Sequence, residues 1–230
     1  MHRPPPMLPE HLPADPMPLS DAWLRQAWDE QVQPNPNAMT LATVGADGRP
    51  SARIMLCKEI VPDPGYLVFY TNYESRKGQQ LAAHAWAAVV FHWDTLGRQV
   101  RIEGPVVQSP ASESDDYFAS RPWQSRIGAW ASQQSRPLGS RQGLIGQLHA
   151  AAQRFGAPDP LAPPDGDQHP ELNIPRPPHW GGNRLWAASV ELWVADPFRL
   201  HDRARWTREL VPAGAAHFQC RPWQHQRLQP

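Results

Sequence analysis

Ala38-Met39-Thr40-Leu41-Ala42-Thr43-Val44 and Ser51-Ala52-Arg53-Ile54-Met55-Leu56-Cys57-Lys58 are rich in strand-forming residues, and Gly45-Ala46-Asp47-Gly48-Arg49-Pro50 joins them. Glycine, aspartate and proline favour tight turns, so this sequence predicts an antiparallel hairpin. We therefore expect the first strands of the fold to be antiparallel neighbours.

Further strand-like segments follow, separated by helical patterns and turns. They are Tyr66–Thr71, Ala87–Trp93, Arg98–Val107, Leu185–Ala195 and Phe198–Glu209. Helices are predicted at Ser20–Val32 with Ser20 as N-cap, after Ser75, at Ala111–Ser120 and at 140–155. Such strands favour a mainly β fold with helices (α+β), a closed antiparallel barrel, since closure removes exposed strand edges. A parallel doubly wound sheet is disfavoured, because strict strand–helix alternation and a glycine-rich fingerprint are both missing.

The composition sets limits on domain count, partners and location. The chain has 230 residues, a formal net charge of zero and 28 prolines concentrated at 4–18 and 158–178. We expect a disordered proline-rich segment at 1–18 and a single domain at 19–230 with a proline-rich loop at about 156–178. The charge balance gives no attraction to nucleic acid or to an anionic membrane. The absence of a signal-like or membrane-spanning apolar stretch predicts a cytoplasmic protein.

Ser75-Arg76-Lys77-Gly78 follows a strand and opens a helix. A hydroxyl, two cations and unpaired backbone N–H groups meet there at the positive end of the helix dipole. This combination predicts a phosphate site. The alternative is an ordinary capped helix with exposed charges.

Tyr117, Arg121 and Ser125 form a second candidate phosphate site. Tyr117 and Arg121 share a helix face at i, i+4 spacing, and Pro122 turns the chain so that Ser125 can approach the same space. A helix end with a solvated arginine is the equally simple alternative.

The segment Arg199–Arg203 places Arg199, His201 and Arg203 at every second position. On a strand these side chains project from one face, which suits an anion or an electron-rich ring. On the earlier strand, Arg53 and Lys58 point to opposite faces, so they serve one site only if the strand ends or bulges near Lys58.

Side-chain amides and tryptophans complete the candidates. Gln99, Gln133 and Gln134 could match the donors and acceptors at a flavin edge. Trp186 and Trp193 are interpreted from the pattern as core residues. No metal-ligand spacing, nucleophile elbow or phosphate-binding glycine loop is found, and a disulfide between Cys57 and Cys220 is improbable.

Several of these motifs occur in the order that is typical of one enzyme family. They are Arg53–Lys58, Phe69–Asn72, Ser75–Lys77, Arg98–Val100, Tyr117–Pro122, Ile127–Trp130, Gln134–Ser135, Arg199–Arg203 and the terminal Arg227–Pro230. Together they resemble the pyridoxine/pyridoxamine phosphate oxidase family over roughly residues 15–230. The resemblance implies an antiparallel FMN-binding split β-barrel with peripheral helices and a homodimer with FMN at the subunit interface.

The resemblance also assigns residues to each ligand. The FMN-binding residues would be Arg53, Ile54, Met55, Leu56, Cys57, Lys58, Tyr70, Thr71, Ser75, Arg76, Lys77, Gln99, Gln134, Ser135, Trp193 and Arg203. The substrate-binding residues would be Lys58, Tyr117, Arg121, Ser125, Arg199 and His201, with Arg199 and His201 over the pyridine ring as the catalytic pair.

The implied reaction oxidises pyridoxamine or pyridoxine 5'-phosphate to pyridoxal 5'-phosphate. The substrate carbon gives a hydride to flavin N5, and oxygen then reoxidises the flavin with release of peroxide. The chain departs from the family in lacking an upstream Arg-x-x-Tyr lid segment, because no tyrosine precedes Tyr66. The alternatives are a split-barrel flavoenzyme of the phenazine-biosynthesis type and a flavin-binding barrel without turnover.

Overall fold

The computed structural model describes residues 6–162 and 172–230. Its helices are α1 Met17–Asp29, α2 Arg76–Ala83, α3 Ala111–Ser120, α4 Trp123–Ala131 and α5 Arg141–Arg154. Its strands are β1 Ala38–Val44, β2 Pro50–Leu56, β3 Glu59–Val61, β4 Tyr66–Asn72, β5 Trp86–Trp93, β6 Arg98–Gln108, β7 Trp180–Trp186, β8 Ser189–Val194, β9 Asp202–Thr207, β10 Leu210–Pro212, β11 Phe218–Cys220 and β12 Gln224–Leu228. None of the helices in these ranges is long and apolar enough to cross a membrane.

The sheet is antiparallel in every pairing whose register is defined. β1 and β2 pair from Ala38 opposite Leu56 to Val44 opposite Pro50, which confirms the predicted hairpin. The main path runs β12-β9-β8-β6-β5-β1-β2, while β4 pairs with β3 and β7, and β7 pairs with β6. The antiparallel barrel-type sheet predicted from the strand pattern is therefore present.

The split of the sheet occurs along β6. Residues Arg98–Glu103 of this strand pair with β8, and Val106–Gln108 pair with β7. Gly104 lies between these two pairings, and a Cβ built on it would stand 1.8 Å from the carbonyl oxygen of Trp186. Only a glycine allows the turn between β7 and β8 to approach β6 this closely.

Gly104→Ala is therefore expected to destabilise the fold by about 1–3 kcal/mol, because strand backbone must move to admit the methyl group. Gly146→Ala is the matched control: nothing lies within 4 Å of a Cβ at this position in α5. Since alanine favours helix, the control should be neutral or stabilising by up to about 1 kcal/mol. Urea unfolding of both variants measures the difference, and equal midpoints would refute the close approach.

Several predicted elements have different boundaries in the structure. The expected strand Leu185–Ala195 is divided between β7 and β8, and the strand expected from Phe198 begins only at Asp202. The sequence pattern does not predict helix α4, since it indicates only that Arg121-Pro122 interrupts the helix at Ala111–Ser120. Ser20 is not an N-cap: α1 starts after Pro16, and the buried Ser20 hydroxyl donates to the Pro16 carbonyl at 2.9 Å.

The chain divides into two compact units. Unit 1 comprises 1–69, 80–108 and 183–230, and unit 2 comprises 70–79 and 109–182. The boundary passes through β4, α2 and β7, so these elements contribute to both units. The single domain expected at 19–230 stays a prediction.

Each unit has its own apolar core. In unit 1 the inward faces of the strands bury large side chains, among them Phe69, Phe91, Trp93 and Trp206. In unit 2, α3, α4 and α5 enclose a second cluster that includes Phe118, Trp123, Ile127 and Trp180. Trp186 is buried in the sheet as predicted, whereas Trp193 is only half-buried.

Part of the proline-rich N-terminal segment packs on unit 1. Leu8 is buried, its backbone N–H donates to Asp202 Oδ2 at 2.8 Å, and the Trp206 indole donates to the Pro13 carbonyl at 2.8 Å. The disorder expected at 1–18 stays a prediction. Residues 1–5 of that segment, and 163–171 of the predicted 156–178 loop, lie outside the described residues.

Candidate functional site

The start of α2 is a buried, polar helix N-terminus in unit 2. Ser75 caps the helix, since its Oγ accepts a hydrogen bond from the Gly78 N–H at 3.3 Å. The Lys77 ammonium donates to Ser75 Oγ at 3.1 Å and to Gln134 Oε1 at 2.8 Å. Lys77 is only 7% exposed, so the chain holds a positive charge away from water at this helix end. An anion would be well matched to that charge.

Other predicted residues of this motif have different surroundings. Arg76 is exposed, whereas Thr71 is buried, with its hydroxyl 3.5 Å from Gln134 Oε1. Ser135 is exposed and adopts a left-handed backbone with φ +73°. The structure thus joins Thr71, Ser75, Lys77 and Gln134 in one group and leaves Arg76 at the surface.

Aromatic rings in unit 2 form a stack beside Arg121. The rings of Tyr70 and Tyr117 lie 3.9 Å apart, and Trp180 continues the stack at 5.5 Å from Tyr70. The Arg121 guanidinium lies 4.6 Å from the centre of the Trp180 ring. Its Nη1 is buried and has no hydrogen-bond partner among the described residues. Burial lowers the pKa of Arg121, and the nearby Tyr117 opposes this shift.

Ser125 is exposed and lies in the first turn of α4, the helix that begins directly after Pro122. The first turn of a helix leaves backbone N–H groups without partners inside the helix. The predicted interruption of the helix at Arg121-Pro122 is present, since α3 ends at Ser120 and α4 begins at Trp123. A guanidinium whose Nη1 has no hydrogen-bond partner, next to such a helix start in sequence, suits a phosphate or a carboxylate.

Three predicted flavin residues in unit 1 form one row across the sheet. Gln99 of β6 stands opposite Trp193 of β8, which stands opposite Arg203 of β9. Directly opposed residues of antiparallel strands project from the same face. Arg203 Nη2 also pairs with the buried Glu191 at 2.8 Å, so part of its charge is already compensated.

Arg199 and His201 do not lie on a strand, which corrects the predicted alternation with Arg203. They belong to the loop between β8 and β9, and Arg199 has a left-handed backbone with φ +65°. The Asp196 carboxylate accepts from the Phe198 N–H at 2.8 Å and holds the chain in this turn. His201 packs against Trp193 with ring centres 4.6 Å apart, which brings it beside the row described above.

Arg53 belongs to a buried polar cluster of unit 1. Its guanidinium donates to Thr43 Oγ1 at 2.6 Å and to Gln80 Oε1 at 3.2 Å. Gln80 Oε1 also accepts from Thr43 at 2.6 Å and from Ser51 at 2.8 Å. These bonds fix the orientation of the guanidinium.

The rest of the motif Arg53–Lys58 alternates as predicted until the strand ends. Ile54 is 66% exposed and Leu56 37% exposed on the outer face of β2, which is an edge strand of the main sheet path. β2 ends at Leu56, and the Lys58 N–H donates to the Val68 carbonyl at 2.8 Å. The strand thus ends before Lys58, which is the condition under which Arg53 and Lys58 could serve one site. Met55 is half-buried.

Cys57 cannot offer its thiol to a ligand, because the side chain is 1% exposed and Sγ lies 3.3 Å from the Glu59 carbonyl oxygen. Burial raises the pKa of the Cys57 thiol to about 12. Any contact with flavin at this residue would have to use the backbone.

We expect iodoacetamide at pH 8 to label Cys220 but not Cys57 in the folded protein, since alkylation needs an accessible thiolate. Urea should make both cysteines reactive. Peptide mapping by mass spectrometry measures the labelling, and rapid labelling of Cys57 in the folded protein would contradict its burial.

The raised pKa of Cys57 also implies that the free energy of unfolding falls as pH rises from about 9 toward 12, because only the unfolded state loses the thiol proton in this range.

Residues that sequence reasoning missed support the aromatic stack. Arg176 Nη1 donates to the Trp180 carbonyl at 2.7 Å, and its Nε donates to Asp115 of α3 at 2.6 Å. Gly181 and Gly182 follow Trp180, and a Cβ on Gly181 would stand 2.2 Å from the Tyr73 hydroxyl. The Trp-Gly-Gly pattern was the available signal, since adjacent glycines often mark a close approach of chains.

Two family models match the chain. A model described as pyridoxamine 5'-phosphate oxidase matches residues 24–154, and one described as pyridoxine 5'-phosphate oxidase C-terminal dimerisation region matches residues 180–230. A pyridoxine/pyridoxamine 5'-phosphate oxidase of Burkholderia cenocepacia (strain HI2424) is 49% identical over 216 residues, covering 94% of this chain and 89% of that protein. The protein of the same description from Gloeothece citriformis (strain PCC 7424) is 51% identical over 181 residues, covering 79% and 77%.

Solved structures with the same fold were also found. PhzG from Burkholderia lata 383, in complex with tetrahydrophenazine-1-carboxylic acid, superposes with a TM-score of 0.78 at 29% identity and covers 96% of this chain and 95% of its own. A pyridoxamine 5'-phosphate oxidase-related, FMN-binding protein from Nostoc punctiforme PCC 73102 has a TM-score of 0.62 at 18% identity, covering 93% and 97%. These likenesses confirm the predicted split barrel.

Proposed function

The chain belongs to the pyridoxamine 5'-phosphate oxidase family, and on that premise we propose that it is an FMN-dependent oxidase. Its proposed substrates are pyridoxamine 5'-phosphate and pyridoxine 5'-phosphate, its product is pyridoxal 5'-phosphate, and oxygen is the electron acceptor. The curated relatives that carry this description are about half identical to the chain over most of its length, which supports the assignment.

The observation that carries the proposal is the surroundings of Arg121. A buried guanidinium nitrogen without a partner is costly unless a ligand pairs with it. The stacked rings of Tyr70, Tyr117 and Trp180 lie beside it, and they suit a flat aromatic ligand. A substrate that joins a phosphate to a pyridine ring would satisfy both features. The family resemblance adds Lys58 and Ser125 to the proposed phosphate set.

For FMN, we propose the residues that the family resemblance implies, and two local arrangements support them. The buried Lys77 ammonium, held by Ser75 and Gln134 at the start of α2, suits the single terminal phosphate of FMN. The proposed ring-edge contacts come from Gln99, Trp193 and Arg203, which share one sheet face. Arg53 is a further proposed contact, because its guanidinium is already fixed by Thr43 and Gln80.

When bound, FMN supplies the two-electron acceptor for the substrate carbon that carries the amine or alcohol. The protein binds and orients the substrate. Arg121 is proposed to anchor the phosphate, and Arg199 and His201 to lie over the pyridine ring. His201 Nδ1 accepts a hydrogen bond from the Asp196 N–H at 3.1 Å, so in the neutral ring the proton is on Nε2, which can donate to substrate.

A second candidate follows from the likeness to PhzG, which was solved with a tricyclic carboxylic acid. A carboxylate could also pair with Arg121, so a flavoenzyme acting on a reduced phenazine acid is the runner-up. The higher identity to the vitamin B6 oxidases favours the first candidate. The third candidate function is that of a flavin-binding barrel without turnover.

The proposed assembly is a homodimer with FMN at the subunit interface, supported by the match to a dimerisation region over 180–230. The exposed Ile54 and Leu56 on an edge strand are consistent with a covered face in the assembly. Light scattering at micromolar concentration should give twice the chain mass, and a monomer that retains flavin would contradict this. The cytoplasmic location stays a prediction.

The test of function compares three substrates on the same preparation. FMN-loaded protein is mixed under oxygen with pyridoxamine 5'-phosphate, pyridoxine 5'-phosphate or a reduced phenazine carboxylic acid, and product is followed by absorbance. We expect pyridoxal phosphate from the first two. Turnover of the phenazine acid alone would establish the runner-up, and no turnover of any would favour the binding barrel.

A further inference from the structure

The loop between β8 and β9 is organised by one residue, Asp196. Its Oδ1 accepts from the N–H of Phe198 at 2.8 Å and from the N–H of Leu200 at 3.2 Å. Its carbonyl accepts from the Arg199 N–H at 3.1 Å, and its own N–H donates to His201 Nδ1 at 3.1 Å. Asp196 therefore contacts every residue from Phe198 to His201.

Apolar packing does not hold this loop in place. Its two large apolar side chains are the most exposed of their kind in the described chain, Phe198 at 83% and Leu200 at 67%. Pro197 and Arg199 are exposed as well. With so little burial, the conformation depends on the hydrogen bonds of Asp196.

The first consequence concerns Arg199. Its backbone lies in the left-handed region with φ +65°, which residues with side chains rarely adopt. The two carboxylate bonds of Asp196 go to the residues immediately before and after Arg199, so they fix the chain on both sides of it. This turn therefore sets the direction in which the Arg199 side chain projects from the loop.

The second consequence concerns His201. Because its Nδ1 accepts from the Asp196 N–H, the neutral ring must carry its proton on Nε2. The ring also packs on Trp193, with ring centres 4.6 Å apart. The backbone of Asp196 thus selects the tautomer of a ring that Trp193 orients.

We propose that Asp196 is a positioning residue for the oxidation, acting through the Arg199 backbone and the His201 tautomer. The proposal rests on the proposed function for its kinetic consequence, but its structural consequence can be measured on the protein without any turnover. Asp196 itself is not a catalytic residue, since it acts only through its neighbours.

The test compares Asp196→Ala with Asp196→Asn in the FMN-loaded protein. The asparagine oxygen can still accept from Phe198 and Leu200, whereas alanine removes the acceptor. We expect Asp196→Ala to lower kcat for pyridoxamine 5'-phosphate by about 10- to 100-fold, because small misplacements of orienting groups have effects of this size. FMN affinity should stay within about 2-fold, and Asp196→Asn should recover most of the rate.

The matched control is Asp47→Ala, which removes a comparable bond in the β1–β2 turn, the one that Asp47 Oδ1 accepts from the Arg49 N–H at 3.1 Å. This variant should keep the parental kcat. Nitrogen NMR of His201 is the second readout, and the parent and Asp196→Asn should show the proton on Nε2. Asp196→Ala keeps the backbone N–H but loses the two side-chain bonds that hold the turn, so this N–H is no longer aimed at Nδ1 and a mixture of tautomers should appear.

The outcomes separate the two proposals. Unchanged kcat and unchanged His201 nitrogen shifts in Asp196→Ala would overturn the positioning role. A parent that does not oxidise pyridoxamine 5'-phosphate, with a His201 tautomer that still shifts in Asp196→Ala, would refute the proposed function and support the positioning of His201. A loss of rate equal to that of Asp47→Ala would show only general destabilisation and would also overturn the proposal.

Discussion

Replacement of Arg121 by methionine is expected to lower kcat/KM for pyridoxamine 5'-phosphate by about 100-fold, mainly through KM. A buried charge-assisted contact to phosphate is worth roughly 1.5–3 kcal/mol, which corresponds to a factor of about 10 to 150. Methionine keeps apolar contact with the Trp180 ring, so the stack beside it should persist. Steady-state kinetics on flavin-loaded protein provides the measurement.

The matched control for this variant is Arg136→Met, at an exposed arginine in the segment between α4 and α5. It removes the same charge from the same unit and should leave KM unchanged. FMN content should be equal in both variants and the parent. A parental KM in Arg121→Met would mean that the substrate phosphate binds elsewhere.

Replacement of Lys77 by methionine is expected to weaken FMN binding by about 10- to 150-fold, because the buried ammonium is proposed to pair with the flavin phosphate. Riboflavin lacks that phosphate, so its affinity should change little. Fluorescence titration of the apoprotein with each flavin measures both affinities.

Arg136→Met also serves as the control for Lys77→Met. Arg136 is an arginine of the same unit, but it is exposed, and water screens its charge. We expect FMN affinity within about 2-fold of the parent. An equal loss of affinity for FMN and for riboflavin in Lys77→Met would indicate that the site around Gln134 is disrupted, rather than that a phosphate partner is lost.

The parts of the site that sequence predicted are those set by local spacing. Ser75 caps α2 and contacts Lys77 two residues later, so one turn of helix contains most of the group. The interruption of the helix between α3 and α4 at Pro122 was likewise predictable, because proline cannot continue α3. The order of motifs then identified the family.

Sequence patterns could not predict the contacts between residues that are far apart in the chain. Gln80 meets Arg53 across 27 residues, and Arg176 meets Asp115 across 61. No periodicity links such positions, since only the folded sheet and helices bring them together. The same holds for Trp180, whose position in the stack depends on elements distant in sequence.

The error at Arg199 and His201 has a local cause that strand periodicity could not reveal. Alternation assumes extended backbone, but Asp196 and Pro197 form a turn that delays the start of β9 to Asp202. The prediction of one strand where the structure has β7 and β8 has a similar explanation. Ala187-Ala188 between the two strands contains no glycine or proline to mark the turn.

The proposal that this chain oxidises a phosphorylated B6 vitamer with bound FMN can be tested by a single-turnover measurement. FMN-loaded protein is mixed with pyridoxamine 5'-phosphate without oxygen, and oxygen is admitted afterwards. We expect about one pyridoxal phosphate per bound FMN with loss of the yellow colour, followed by return of the colour and release of hydrogen peroxide on exposure to oxygen. Folded, flavin-loaded protein that keeps its colour and forms no aldehyde would contradict it.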